Sequence, residues 1–292
     1  MRLFAGIDGG QTATQAVIGD ADGAILGRGS AGPADEIGAS ENSTRLRDAL
    51  EGSLRAAIAD AKLDPAARFE CIVAGISGYE ERIYGVAPSL PADRLLFTHD
   101  APIAHAGALD AKPGVVVIAG TGSVAYAVDT QGVGRTFGGF GYVFGDGGSA
   151  FWIASRALGQ IARHADCPYR SIAAEYFSVE SMRALFRAFY ASEISRDRIA
   201  SFARVCIVAA REGADCECLS VPVEQAALEL ACLASDAAGD ELRDLAFTGG
   251  LMADAWFKER VYFEAQGAVE GVRIVEPKHD PAVGALLLAR RV

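Results

Sequence analysis

The sequence predicts an α/β protein made of two similar lobes with a cleft between them. A strand, a glycine-rich turn and a second strand open the chain at residues 3–18, and the same pattern returns at residues 115–128. A repeated strand-turn-strand unit indicates an internal duplication, and each copy needs helices to cover its sheet. We expect a first lobe at residues 1–112, completed by a last helix at 281–292, and a second lobe at 113–280.

The composition is that of a folded protein with large cores. The chain has 292 residues, of which 51% are hydrophobic and 22% charged, so it is too apolar for disorder. Its 27 basic and 38 acidic side chains give a net charge of −11, which repels nucleic acid backbones and anionic membranes. Asp8 interrupts the first apolar run, and no later run reaches about 18 apolar residues. We therefore predict a cytoplasmic protein with no nucleic acid and no membrane as partner.

In the first lobe, apolar runs separated by turns predict five strands and one helix. The helix is expected at residues 44–61, where leucine and isoleucine recur at every fourth position. The runs at 71–76 and 94–98 end at polar residues, Ser77 and His99. Ligands of open α/β sheets bind at this carboxyl edge of the strands. The five predicted strands are 3–7, 14–18, 24–29, 71–76 and 94–98.

In the second lobe, the strand pattern repeats and then changes to a mainly helical one. The apolar helix expected at residues 222–242 fits either a core or an interface between copies. The predicted strands are 115–119, 124–128 and 245–247, and the predicted helices are 150–165, 181–190, 198–212 and 222–242. The helix expected at 281–288 belongs to the first lobe.

The cysteines and histidines show no spacing typical of a metal site. Cys216-Glu217-Cys218 is the only close pair of thiols, and Cys-x-x-Cys and His-x-x-x-His motifs are absent from the sequence. We interpret the pair as ordinary thiols, because a free cysteine behaves as a small hydrophobic residue. The full set is Cys71, Cys167, Cys206, Cys216, Cys218 and Cys232, with His99, His105, His164 and His279.

Two glycine-rich turns stand at equivalent places in the two repeats. Asp8-Gly9-Gly10-Gln11-Thr12 follows the first strand, and Gly120-Thr121-Gly122-Ser123 follows the strand at 115–119. Glycine lets backbone N–H groups approach a phosphate closely, so the pair predicts a polyphosphate clamp. A simple hairpin uses the same residues, and this structural alternative stays open. The lysine-containing P-loop motif is absent from the sequence.

Three further segments have both a structural and a functional interpretation. Thr248-Gly249-Gly250-Leu251 fits either an adenine-binding turn or a simple strand-to-helix connection. Asp100, between a strand and a proline-containing helix, fits a helix N-cap and a general base equally well. In the glycine-dense stretch 138–148, Asp146 is the residue that local structure explains least, because Ser149 already suits the N-cap of the next helix.

These segments resemble, in the same order along nearly the whole chain, those of N-acetylglucosamine kinases with a BadF/BadG/BcrA/BcrD-type ATPase domain. The resemblance is carried by residues 6–12, 98–101, 119–123, 138–149 and 248–250. It implies two actin-like (ribonuclease H-like) lobes with an ATP and sugar cleft. It also implies ATP-dependent phosphorylation of an amino sugar, N-acetylglucosamine to its 6-phosphate, by a homodimer that uses ATP and Mg²⁺ as cofactors.

The same resemblance implies a role for particular residues. Asp100 would be the catalytic base, and Asp8 would hold Mg²⁺ through water. The ATP-binding residues would be Gly9, Gly10, Gln11, Thr12, Thr121, Gly122, Ser123, Gly249 and Gly250. The sugar-binding residues would be Asp35, Ser77, Gly78, Asp100, Thr121, Gly139, Phe140 and Asp146.

Three positions depart from the family pattern. Asp35 stands where the family usually has Asn, and an ionised Asp only accepts hydrogen bonds, which favours glucosamine as an alternative substrate. Gly147 stands where Glu is usual. Phe140 stands where Trp is common, which keeps an aromatic wall.

Two functions from other classes remain as alternatives. One is a BadF-type activator ATPase, which needs an iron–sulfur cluster for which the cysteines show no pattern. The other is a sugar or nucleotide sensor, which the missing Glu at position 147 favours. ROK-type sugar kinases are also similar, but their Cys/His zinc segment is missing here.

Overall fold

The computed structural model describes residues 1–35, 39–213 and 216–292 and has mixed α/β structure. Its residues divide into two compact units. The first unit consists of Met1–Val116, Val128–Gly134 and Val275–Val292, and the second consists of Val117–Ala127 and Arg135–Ile274.

The first sheet has five strands in the order β3-β2-β1-β4-β5. The β1–β2 and β2–β3 pairs are antiparallel, whereas β1–β4 and β4–β5 are parallel. The carboxyl ends of β1, β4 and β5 therefore lie at one edge of the sheet. The strands are β1 (Leu3–Gly9), β2 (Thr14–Asp20), β3 (Ile25–Ala31), β4 (Phe69–Ile76) and β5 (Ala92–His99).

The second sheet also has five strands, in the order β10-β9-β6-β7-β8. Read from β8, this order repeats the connectivity of the first sheet, strand for strand. The predicted duplication of one α/β unit is therefore confirmed. The strands are β6 (Gly114–Ala119), β7 (Ser123–Val128), β8 (Gly134–Gly138), β9 (Asp244–Thr248) and β10 (Arg273–Ile274).

The helices flank these sheets and are most numerous in the second unit. In the first unit they are α1 (Arg45–Asp60), α2 (Asp100–Leu109) and α11 (Pro281–Ala289). In the second unit they are α3 (Gly141–Phe144), α4 (Ala150–Arg163), α5 (Tyr169–Tyr176), α6 (Met182–Tyr190), α7 (Arg196–Ala200), α8 (Ala203–Arg211), α9 (Glu217–Ala238) and α10 (Ala255–Ala268), with a short 3₁₀ helix at Gly250–Ala253.

Two predicted helices differ from the observed ones. The single helix expected at 198–212 is divided into α7 and α8, because Phe202 between them is fully buried and its ring packs against Tyr176 and Phe177. The helix expected to begin at Pro222 begins five residues earlier, at Glu217. Proline favours the first turn of a helix, but Pro222 is buried inside α9. Sequence reasoning missed β8, β10, α3 and α5, and it gave no range for α10.

Among the described residues, α9 is the helix long and apolar enough to cross a membrane by length and composition. Its most apolar 18-residue window has a mean hydropathy of 1.2 and is 44% buried inside the protein. The helix packs against α4, α8 and α10. These contacts are those of a core helix.

His105 joins α2 to the start of β6 within the first unit. Its side chain is buried, and Nε2–H donates to the Gly114 carbonyl oxygen at 3.1 Å. Burial lowers the pKa of this imidazole to about 4, so the ring is neutral at pH 7. The pair thus satisfies a buried carbonyl without placing a charge in the core.

The backbone of β1 lies directly against that of α11. A Cβ atom on Gly6 would be 2.1 Å from the Leu286 nitrogen and 2.3 Å from the Ala282 oxygen. Both of these are backbone atoms, which cannot move aside as a side chain can. Glycine at position 6 is therefore a requirement of the helix–strand contact.

We expect Gly6→Ala to lower the free energy of unfolding by more than about 3 kcal/mol, because no side-chain rearrangement relieves the overlap. Urea denaturation measures the change. The matched control is Gly52→Ala in α1, where the new Cβ has ordinary contacts and stability should rise by up to about 1 kcal/mol. Equal effects of the two substitutions would contradict the close approach.

Candidate functional site

A group of carboxylates lies at the carboxyl edge of the first sheet. Asp8 is near the end of β1, and Asp100 directly follows β5 and begins α2. Asp280 is the N-cap of α11, where one of its oxygens accepts from the Val283 N–H at 2.9 Å. Burial raises the pKa of Asp8 to about 7, and the negative charges of Asp100 and Asp280 add to this effect. The group therefore holds a proton at Asp8 or attracts a cation.

His99 orients Asp100. Its Nδ1 lies 2.7 Å from Asp100 Oδ1 and 3.3 Å from the Ala101 nitrogen, and only the first contact is short enough for a strong hydrogen bond. Nδ1–H therefore donates to the carboxylate. Its hydrogen bond to Asp100 raises the pKa of His99. His99 occupies the N-cap position of α2 and Asp100 is the first residue of the helix, so the interpretation of Asp100 as that cap is wrong. Among the described residues, the contact of Asp100 with His99 uses one carboxylate oxygen, Oδ1.

The first glycine turn lies between β1 and β2 and is bonded to its neighbours through the backbone. Gly10 N–H donates to the Ala13 oxygen at 3.1 Å, and Gly9 oxygen accepts from Ser77 N–H at 2.9 Å. Ser77 and Gly78 are thereby held beside the turn. Gln11 and Thr12, at its tip, are exposed.

Asp35 already has a cationic partner. Its Oδ1 accepts from the Arg45 guanidinium at 3.2 Å, and its side chain is only 14% exposed. The Arg45 guanidinium therefore occupies one oxygen of Asp35 and offsets part of its charge. This weakens the expected attraction of Asp35 for the ammonium group of glucosamine.

In the second unit, the turn between β6 and β7 is fixed to the start of α4. Gly120 oxygen accepts from Ala150 N–H at 2.9 Å, and Thr121 oxygen accepts from Phe151 N–H at 3.3 Å. Ser123 Oγ donates to the Gly147 oxygen at 2.8 Å. The turn and the 145–149 loop therefore form one bonded assembly.

Asp146 is buried beside this turn with an arginine partner. It is 6% exposed, has a positive φ of 56°, and its Oδ2 accepts from Arg196 Nη2 at 2.8 Å. The Arg196 guanidinium also lies 5.1 Å from the centre of the Tyr142 ring. Arg196 Nε is buried and lacks a hydrogen-bond partner among the described residues. Sequence reasoning missed Arg196, which is about fifty residues away and has no motif around it.

The space beside Gly147 is occupied by a carboxylate from another helix. A Cβ atom on Gly147 would be 2.6 Å from Glu229 Oε2, which α9 contributes. The family pattern has Glu at position 147. In this chain the Glu229 carboxylate reaches the same neighbourhood from α9, and sequence reasoning did not identify Glu229.

Phe140 and the short helix α3 form an exposed apolar segment. Phe140 is 73% exposed, and Val143 and Phe144 are 65% and 88% exposed. Gly139, before them, has a positive φ of 70°. An exposed aromatic of this kind is suited to pack against a ligand or a partner surface.

A cavity of about 580 Å³ lies within the second unit. Its wall includes Thr121 and Gly250, two of the residues expected to bind nucleotide. It also includes Asp197, Ser201 and Arg204, which sequence reasoning did not single out. The remaining wall residues are Gly120, Ala150, Ala200, Ala203, Ile207, Leu251, Ala253 and Asp254.

The two neighbouring glycines after β9 have different roles. Gly249 has a φ of 100°, and its Cβ would be 2.4 Å from the Ala119 oxygen, so the strand contact requires glycine there. A Cβ on Gly250 would meet nothing within 4 Å. The fold therefore explains Gly249, and Gly250 leaves open space at the cavity wall.

A model of the BadF/BadG/BcrA/BcrD ATPase family matches residues 5–289 of the chain. The chain belongs to this family. An N-acetylmuramic acid/N-acetylglucosamine kinase of Clostridium acetobutylicum is 30% identical over 117 residues, which are 38% of this chain and 38% of that protein.

Two solved structures of candidate N-acetylglucosamine kinases resemble this member of the BadF/BadG/BcrA/BcrD family over almost its whole length. The protein from Chromobacterium violaceum is 27% identical, with a TM-score of 0.79 and 99% of each chain covered. The protein from Porphyromonas gingivalis is 17% identical, with a TM-score of 0.71, covering 100% of this chain and 99% of that one. The second likeness shows the fold alone.

The raised pKa of Asp8 predicts a pH-dependent stability for this family member without ligands. Asp8 is ionised above its ordinary pKa of 3.8 in the unfolded chain but keeps its proton up to about pH 7 in the folded one. The contribution of Asp8 to stability is therefore present below about pH 4 and is lost as the pH rises through 7.

We expect Asp8→Asn to raise the melting temperature at pH 8 and to have little effect at pH 4, measured by calorimetry without added cations. The exposed turn residue Asp22→Asn is the control and should change neither value. A stabilisation of the same size at both pH values would show that charge burial at Asp8 is not the cause.

Proposed function

We propose that this chain transfers the γ-phosphoryl group of ATP to the 6-hydroxyl of N-acetylglucosamine. The observation that carries the proposal is the pair Asp8 and Asp100 at one sheet edge, in a chain that matches the ATPase family from residue 5 to 289. The similarity to proteins described as N-acetylglucosamine kinases supports the choice of acceptor.

Asp100 acts as the general base. Nδ1–H of His99 holds one carboxylate oxygen at 2.7 Å, which fixes the direction of the other. That second oxygen accepts the proton of the sugar hydroxyl as it attacks the phosphorus. Phosphoryl transfer depends mainly on such positioning and on charge neutralisation.

The residues around Asp8 fit a magnesium ion. Mg²⁺ prefers carboxylate oxygens and retained water, and Asp8 has the charges of Asp100 and Asp280 close enough to raise its pKa. Asp8 would hold the ion through water. When bound, the ion neutralises charge on the transferred phosphoryl group.

In the second unit, the cavity beside Thr121 and Gly250 suits a nucleoside. Its volume of about 580 Å³ is in the range of small-molecule sites, and its wall combines apolar groups with few polar ones. Asp197 is positioned to accept from ribose hydroxyls, and Arg204 to offset phosphate charge. Within the second unit, the turn at Thr121–Ser123 beside this cavity supplies backbone donors to the phosphates.

Asp146 and Phe140 serve the sugar. Arg196 occupies one oxygen of Asp146, and the other accepts from a sugar hydroxyl. The exposed Phe140 ring packs against the sugar face. Gly139 completes the set in this unit. Because Asp35 already pairs with Arg45, we place N-acetylglucosamine before glucosamine as the substrate.

We expect Asp100→Asn to lower kcat by at least about a hundredfold while the KM for ATP stays nearly constant, because the amide cannot accept the hydroxyl proton. ADP release is measured with ATP and Mg²⁺ and with N-acetylglucosamine, glucosamine, N-acetylmuramic acid, N-acetylmannosamine, glucose or no sugar. Near-normal turnover in the variant would exclude Asp100 as the base.

The wild-type protein decides between the functions in the same assay. Turnover that depends on an N-acetylated sugar supports the proposal. Turnover without any sugar would favour an activator ATPase, and binding of ATP without turnover would favour a sensor.

We expect Gly250→Leu to raise the KM for ATP by at least about tenfold, because the side chain extends into the cavity without disturbing the fold. The control is Gly267→Leu at the end of α10, where a Cβ also meets nothing within 4 Å. Unchanged KM values in both variants would place the nucleotide elsewhere.

A further inference from the structure

Three cysteine side chains converge in the second unit, and none of them lines the cavity beside Thr121 and Gly250. Cys167 lies in the turn between α4 and α5, Cys216 is the N-cap of α9, and Cys218 is in its first turn. The sulfur atoms all lie within 4.8 Å of one another. The tertiary structure therefore brings a residue 49 positions distant to the only close pair of thiols in the sequence.

The spacing of the sulfurs fits a tetrahedral metal ion. The Cys167 and Cys216 sulfurs are 3.7 Å apart. Zinc–sulfur bonds of about 2.3 Å at a tetrahedral angle place two ligand sulfurs about 3.8 Å apart. A disulfide needs about 2.05 Å and would leave the third thiol without a role.

The surroundings provide a further ligand. The cysteines line an open cavity of about 570 Å³, whose wall also contains His164, Arg163, Asp166 and Glu217. The His164 oxygen accepts from Cys167 N–H at 3.1 Å, so the imidazole and the thiol belong to one tight turn. His164 is exposed, which leaves its ring room to rotate towards the sulfurs.

We propose that Cys167, Cys216 and Cys218 bind one zinc ion, with His164 as the fourth ligand. Zinc takes thiolate and imidazole ligands in closed tetrahedral sites of this composition. Binding releases the three thiol protons to solvent, and the start of α9 favours the negative charge that remains on the sulfurs.

The role of the ion is structural. It joins the turn after α4 to the beginning of α9, two segments that are far apart in the sequence. Within the described residues, the assigned base, the glycine turns and the nucleotide cavity use none of these cysteines. The proposal therefore stands or fails independently of the kinase assignment.

The experiment uses the full chain, purified under reducing conditions and freed of metal by a chelator. Zn²⁺ or Co²⁺ is added back, and bound metal per chain is measured together with the sulfur-to-cobalt charge-transfer absorption. We expect one ion per chain, a cobalt spectrum of a tetrahedral thiolate site, and a higher melting temperature with metal.

Variants locate the site. We expect Cys167→Ser and Cys218→Ser each to weaken zinc binding by more than about tenfold. Loss of a residue that only orients a metal ligand already weakens metal binding about tenfold or more, and loss of the ligand itself weakens it at least as much. Cys232→Ser, an exposed thiol further along α9, is the control and should bind as the wild type does. His164→Ala should retain the sulfur-to-cobalt band with weaker binding.

The wild-type result is decisive even if a serine variant fails to fold. Absence of zinc and cobalt uptake by the reduced protein would overturn the proposal. Loss of two hydrogen masses on exposure to air, with two fewer titratable thiols and no metal uptake after reduction, would identify a disulfide instead. Equal binding by Cys232→Ser and the two ligand variants would also overturn it.

Discussion

The contact between the β1 and α11 backbones at Gly6 is the constraint on which the first unit depends. Because no side chain separates the two elements, the start of α11 is drawn to the end of β1. The N-cap of α11 is Asp280, and its carboxylate is close enough to act on Asp8. One packing requirement thus assembles carboxylates from opposite ends of the chain.

This arrangement of carboxylates has an electrostatic cost, which is the raised free energy of the ionised form of Asp8. Burial and two like charges disfavour the ionised form of Asp8, and no basic group is among the causes of its raised pKa. A bound cation would relieve that cost, so the proposed affinity for Mg²⁺ and the instability expected without it have one origin. Asp100 differs because His99 contacts its carboxylate directly. Two similar side chains at one edge therefore have different electrostatic surroundings.

The second unit repeats the sheet order, but its tight backbone contacts and the partner of its buried carboxylate differ from those of the first unit. Its tight backbone contact is between Gly249 and Ala119, and its buried carboxylate, Asp146, has an arginine partner instead of other acids. Arg196 stabilises that charge at the cost of one unsatisfied donor. Duplication therefore preserved the topology, while the charge balance of each unit follows its own side chains.

The sequence by itself determined the α/β class, the duplication, most strand positions and the family, because alternating apolar runs and glycine turns are local signals. It also drew attention to Asp8, Asp100 and Asp146. Only the tertiary structure decided that His99 pairs with Asp100, that α7 and α8 are separate, and that Asp35 and Asp146 have the partners Arg45 and Arg196. The tertiary structure also brings Cys167 close to Cys216 and Cys218. Apart from the pairing of the neighbours His99 and Asp100, each of these depends on contacts between segments distant in sequence, which packing creates and which no local pattern encodes.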